Sequence, residues 1–88
     1  MMSWVEIREA ASTASRVYRS AMFRARPLDF RTVVAMDKKS RPLMCALKDL
    51  IETMTEDDCE ELRPIASRMA ERALFHANEL LEFSRKCP

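Results

Sequence analysis

Three cysteines, one histidine and eleven arginines are the side chains of this 88-residue chain with the most chemistry to offer. Cys45, Cys59, Cys87 and His76 would make a Cys3His zinc set by number. Zinc ligands normally come in closely spaced pairs, because a tetrahedral site draws two ligands from one turn or loop. Here the cysteines stand fourteen and twenty-eight positions apart, and no C-x-x-C occurs. The expectation is three incidental or buried thiols and no metal. A carboxylate-bridged di-metal bundle needs Glu-x-x-His on two helices. This chain has one histidine, in the reversed order His76-x-x-Glu79. A partly buried, hydrogen-bonded imidazole is the expectation there. Cys45 as a nucleophile would need His76 beside it as base, and nothing in the spacing brings them together. With no glycine in the chain, phosphate-cradling loops are excluded. No catalytic site and no cofactor are expected.

The arginines are more suggestive. On a helical wheel Arg8, Arg19 and Arg26 align along one edge of the first helix, with Ser12 and Ser15 nearby and Arg16 farther round. Arginine outnumbers lysine eleven to four, and its fork pairs with phosphates and carboxylates alike. Some apolar residues fall on polar faces. Val5 and Phe23 lie beside Arg16 and Arg19, and Phe75 lies among Arg68, Glu71, Glu79 and Glu82. Aromatic residues flanked by arginine are typical interface anchors, although scattered exposed phenylalanines are also ordinary. The expectation is a non-enzymatic protein-protein interaction module: an adaptor, a chaperone-like protein or a small inhibitor or regulator. It would act as a homodimer or on another protein, through Arg8, Arg16, Arg19, Phe23, Arg26 and Phe75. The alternative is a nucleic-acid-binding regulator using the arginine ridge. A net charge of +1 and the presence of Glu6 and Glu9 weigh against it.

The elements that must carry these residues are helices. Ser3 and Glu6 form a capping box, with Met2 and Ile7 as its hydrophobic staple. Trp4, Ile7, Ala11, Ala14, Tyr18, Ala21 and Ala25 then share a stripe, with Met22 beside it. Their alternating steps of three and four are those of a coiled-coil seam. Arg26-Pro27 ends this helix. Asp29 caps a second, short helix with Phe30, Val33 and Val34 as its apolar face, failing near Lys38-Lys39-Ser40. Ser40 caps a third helix with Pro42 in its first turn. Leu43, Ala46, Leu47, Leu50, Ile51 and Met54 are its buried stripe. Thr55-Glu56-Asp57-Asp58 is a further start signal. Pro64 then falls about two turns in, which implies a kink, or a short helix at 56–62 followed by a long one at 64–85. The long segment has a wide arc from Leu62 and Ile65 through Met69, Ala73, His76 and Ala77 to Leu81 and Phe83. Met22, Met44, Met54 and Met69 read as core filler, and Met36 as exposed.

The fold expected is all-α: one domain over 1–88, a small antiparallel bundle of three to four helices, the last one long and kinked near Pro64. Tight β-hairpins are disfavoured without glycine. The start lacks a basic stretch followed by an apolar run, so no signal peptide is expected. No apolar segment reaches the roughly 20 residues of a membrane span. Odd, widely spaced cysteines fit reduced thiols and a cytoplasmic setting, unless Cys87 pairs between chains. Residues 1–48 carry ten Lys/Arg and four Asp/Glu, and residues 49–88 carry five and ten. This polarity could steer association.

Overall fold

The computed structural model describes residues 1–25, 29–53 and 59–86. They form three helices, α1 (Trp4–Ala25), α2 (Phe30–Thr53) and α3 (Arg63–Arg85), and no strand. The capping box starts α1: the Ser3 amide donates to Glu6 Oε1 at 3.3 Å and the Glu6 amide to Ser3 Oγ at 3.2 Å. Asp29 starts α2. Its Oδ1 accepts from the Arg31 and Thr32 amides, and Oδ2 accepts from the Thr32 hydroxyl at 2.6 Å. The Thr32 bonds hold the Asp29 carboxyl below the usual carboxylate range.

Pro42 does not act as expected, and Pro64 follows one of its two expected alternatives, the start of a long helix. α2 runs unbroken through Pro42, so the expected break at Lys38-Lys39-Ser40 is absent and Ser40 caps nothing. An interior proline loses one backbone hydrogen bond and crowds the preceding turn. Here Pro42 is exposed, so water can serve the carbonyl it leaves free. Ser40 is instead buried at mid-helix, in line with Val33 and Leu47 at intervals of seven. Pro64 lies in the first turn of α3, after Leu62 as N-cap. A missing amide hydrogen costs little there. Cys59–Leu62 is a turn, closed by the Leu62 amide on the Cys59 carbonyl at 3.0 Å. The described residues therefore show three helices, with Pro64 opening the last helix rather than kinking its interior. The Thr55 cap, Met54, Arg26 and Cys87 lie outside the described residues.

The largest interface joins α1 to α3. α1 buries Trp4, Ile7, Ala10, Ala14, Tyr18, Ala21 and Ala25, and α3 buries Ala66, Ala70, Ala73, Ala77, Leu80 and Ser84 along the same kind of three-four register. Small side chains on both helices permit an approach near the short end of the usual 8–10 Å interaxial range. The pair is parallel. The Met2 amide donates to Ser67 Oγ at 3.0 Å, and about two turns on, Ala73 lies at the base of a groove beside Arg8 and Ala11. α2 runs the other way, its Asp37 meeting Tyr18 and its Ile51 lying near Arg8. The antiparallel expectation thus holds for α2 against its neighbours and fails at the main interface.

α2 buries only Val33, Ser40 and Leu47. Leu43, Leu50 and Ile51 are half-buried, and Ala46 and Phe30 are exposed, contrary to their expected core positions. Ile65 of α3 is likewise exposed, and Met36 is half-buried. The result is a rod of 46 × 18 × 16 Å with a radius of gyration of 13.9 Å, against about 12 Å for a compact domain of this length. Its accessible surface of 6124 Å² exceeds the roughly 5,300 Å² of a typical monomer of this mass.

Ala70 is fully buried in the seam. Ala70→Leu overfills it and should cost about 1–3 kcal/mol, lowering the thermal midpoint by roughly 4 °C or more. Ala46→Leu, on the exposed side of α2, should leave the midpoint within about 2 °C, since surface changes rarely exceed ~0.5 kcal/mol. Thermal melts followed by circular dichroism compare the two.

Candidate partner-binding face of α1 and the α1–α2 groove

The seam occupies one side of α1 and leaves the other in solvent. Ser12, Ser15, Arg16, Arg19, Ser20, Phe23 and Arg24 line this outward face. Phe23 is 78% exposed. From Ala10 to Ala25 the helix carries Arg16, Arg19 and Arg24 and no acid. Cations near a helix C-terminus complement its dipole, which gives Arg24 a local structural reason. That reason does not extend to an exposed phenylalanine among the arginines.

Between α1 and α2 runs a groove. One end, of 270 Å³, has Ala11, Met44, Leu47 and Ile51 along its walls, Ala73 of α3 at its base, and Arg8, Arg19, Lys48 and Glu52 at its rim. The other end, of 310 Å³, continues past Met44 to Met22, Tyr18, Asp37, Arg41 and Cys45. Ser15, Arg19, Met44 and Lys48 belong to both ends, so the two form one trough. Asp37 is ion-paired with Arg41 at 3.0 Å and accepts a long 3.5 Å hydrogen bond from the Tyr18 hydroxyl.

The residues singled out from the sequence thus divide. Arg16, Arg19 and Phe23 come together on the outward face, and Arg8 with Arg19 edges the groove. Arg26 lies outside the described residues. Phe75 is 62% exposed but belongs to α3 and lines neither the outward face nor the groove. Arg24, Ser20 and the α2 wall of the groove were not anticipated. Arg24 lies on the helical wheel well away from the Arg8–Arg19–Arg26 edge and so falls outside the ridge, whereas the opening between two helices has no signature in either one.

His76 is buried, with Nδ1 3.3 Å from Glu79 Oε2 and its ring edge-on to Phe75 at 5.9 Å. It faces a cleft between α2 and α3 lined by Arg31, Thr32, Met36 and Ser40, away from the cleft of Cys45. Cys45 and Cys59 are exposed free thiols. Among the described residues no three His, Cys, Asp or Glu side chains converge as a metal site would require, and no helix is long and apolar enough to cross a membrane. No family model matches the chain, and no curated protein or solved structure is significantly similar to it.

Tyr18 gives a direct readout of the groove wall. Burial pushes its phenol above the ordinary value of 10.0, with the Asp37 carboxylate adding to the rise and a hydrogen bond with Ser40 opposing it. A raised native pKa favours the neutral phenol in the folded state. Its stabilising contribution is therefore complete below pH 10 and is lost as pH rises through the native value. Tyr18 is the single tyrosine, so phenolate absorbance should titrate above pH 10 in the folded protein and fall to about 10 in denaturant. A native midpoint at or below 10 would contradict the buried placement.

Proposed function

We propose that this chain is a non-enzymatic protein-binding module that presents the outward face of α1 as a preformed helical surface, in the manner of an adaptor, a chaperone-like protein or a small inhibitor. The observation that carries the reading is Phe23, 78% exposed beside Arg16, Arg19 and Arg24 on a helix whose opposite face is fully occupied. Burying a phenylalanine against a partner contributes about 1.5–3 kcal/mol, or roughly ten- to a hundredfold in affinity. Arginines around it exclude water and select carboxylates by geometry. The helix that carries the face is formed before binding and packs against α3, so the ordering cost falls mainly on the arginine side chains and not on the backbone.

One observation favours a second reading. Ser12, Ser15 and Ser20 share this face with Arg16, Arg19 and Arg24, a donor set that also suits the phosphates of a nucleic-acid backbone, with Phe23 as a stacking platform. A mobility-shift titration at low salt separates the two. Salt-sensitive binding of single-stranded oligonucleotide that Phe23→Ala weakens would favour nucleic acid over protein.

The protein-binding reading is tested by comparing affinity purifications from native lysate with wild type, Phe23→Asp and Phe75→Asp, each checked for helical content. A protein that co-purifies with wild type should fall at least tenfold with Phe23→Asp. Loss with Phe75→Asp alone would move the interface to α3 and overturn the assignment. Light scattering of the same samples reports self-association.

A further inference from the structure

We infer that the α1–α2 groove receives a helix of a different protein, an amphipathic segment apolar on one side and acidic along its flanks. The inference rests on the protein-binding reading above and names the chemistry of the partner. Its first support is shape. Two antiparallel helices leave between them a trough whose walls, at Ala11, Met44 and Ile51, are half-buried rather than closed. This is the surface of a bundle that lacks one more helix, and helix-in-groove recognition uses such troughs. Met22 and Met44 are unbranched and can adapt to the incoming side chains.

Charge identifies the occupant. α1 and α2 together carry nine Lys/Arg and five Asp/Glu. Two of those acids, Asp37 and Glu52, are already paired with Arg41 and Lys48, and Arg19 stands exposed at the shared middle of the groove. A segment with acidic flanks complements this rim, and one with basic flanks meets like charge. A second copy of the chain could offer only residues 71–82 of α3, with three Glu to one Arg, and the apolar side of that stretch is already buried in the chain's own α1–α3 seam. α1 carries four Arg against two Glu, α2 five Lys/Arg against three Asp/Glu, and α3 four Arg against three Glu. Taken over its full length, each would bring an excess of cations to a cationic rim.

The test uses a fluorescein-labelled peptide of about 20 residues, roughly 30 Å as a helix, with leucine along one stripe and glutamate on both flanks. A twin carries lysine in place of glutamate. Anisotropy titrations with the intact chain should give saturable binding of the glutamate peptide, at least tenfold tighter than the twin. The bound peptide should shift the methyl resonances of Ala11, Met44 and Ile51. Arg19→Glu should weaken it at least fivefold, and Met44→Glu should abolish it. Arg19 is solvent-exposed, so its variant keeps the fold whatever Met44→Glu does to stability. Equal or tighter binding of the lysine twin, no binding of either, or shifts confined to Phe23 or to α3 would each overturn the inference. So would a dimer whose contacts include Met44 and Ile51, since the groove would then belong to a second copy. A Phe23-dependent partner captured in the absence of any groove binding would remove this inference and leave the protein-binding reading standing. Groove binding without a Phe23-dependent partner would keep this inference and move the protein-binding surface from the outward face of α1 to the groove.

Discussion

The close packing of two alanine-lined helices, α1 and α3, is the interaction on which the rest of this structure depends. Ala10, Ala14, Ala21 and Ala25 line the buried side of α1, and Ala66, Ala70, Ala73 and Ala77 that of the parallel α3, with Trp4, Ile7, Tyr18 and Leu80 supplying bulk at intervals. Each alanine removes little apolar area from water by itself. The gain comes from backbone and Cβ atoms brought within dispersion range along most of two helices. Ser67 accepts the Met2 amide at one end of this interface, which ties the entry of α1 to the first turns of α3.

Such a seam is narrow, and that has consequences for the third helix. With α1 and α3 close together, α2 settles along their side and reaches inward only through Val33, Ser40 and Leu47. Ser40 fits the line because a larger side chain at the point facing Tyr18 would push the helices apart. The remaining apolar residues of α2 are left at half depth, and the α1–α2 groove is the space they border. The elongated outline and the excess of accessible surface follow from the same arrangement. The exposed aromatic of α1 follows too, since the seam uses only one side of that helix.

Much of this was legible in the sequence where the signal is local. The Ser3–Glu6 box, the Asp29 cap and the small-residue stripe of α1 all stand where spacing put them, with the single shift that Ala10 rather than Ala11 is fully buried. The exposure of Val5, Phe23 and Phe75 was also readable, because a helical wheel places them opposite the stripe. Ser40 and Pro42 misled, because serine followed by proline two positions on is a start signal when read locally. Burial against Tyr18 and an exposed site for the proline kept the helix whole. Pro64 admits two readings in the sequence, a kink or the start of a long helix, and the structure takes the second, with α3 beginning at Arg63 and a turn rather than a helix at 59–62. The groove could not be read at all. It depends on the distance between α1 and α2, which is set by the contacts of both with α3.

If the α1–α3 seam carries the fold, the three helices must differ in how readily they open. Native-state amide hydrogen exchange measures this directly. The slowest amides should lie jointly in the middle turns of α1 and α3, exchanging at a common rate set by global unfolding. Those of α2 should exchange through a separate, lower-cost opening. Amides around Val33 and Leu47 as protected as those around Ala14 and Ala73, or α1 and α3 exchanging independently of one another, would contradict the central place given to the seam.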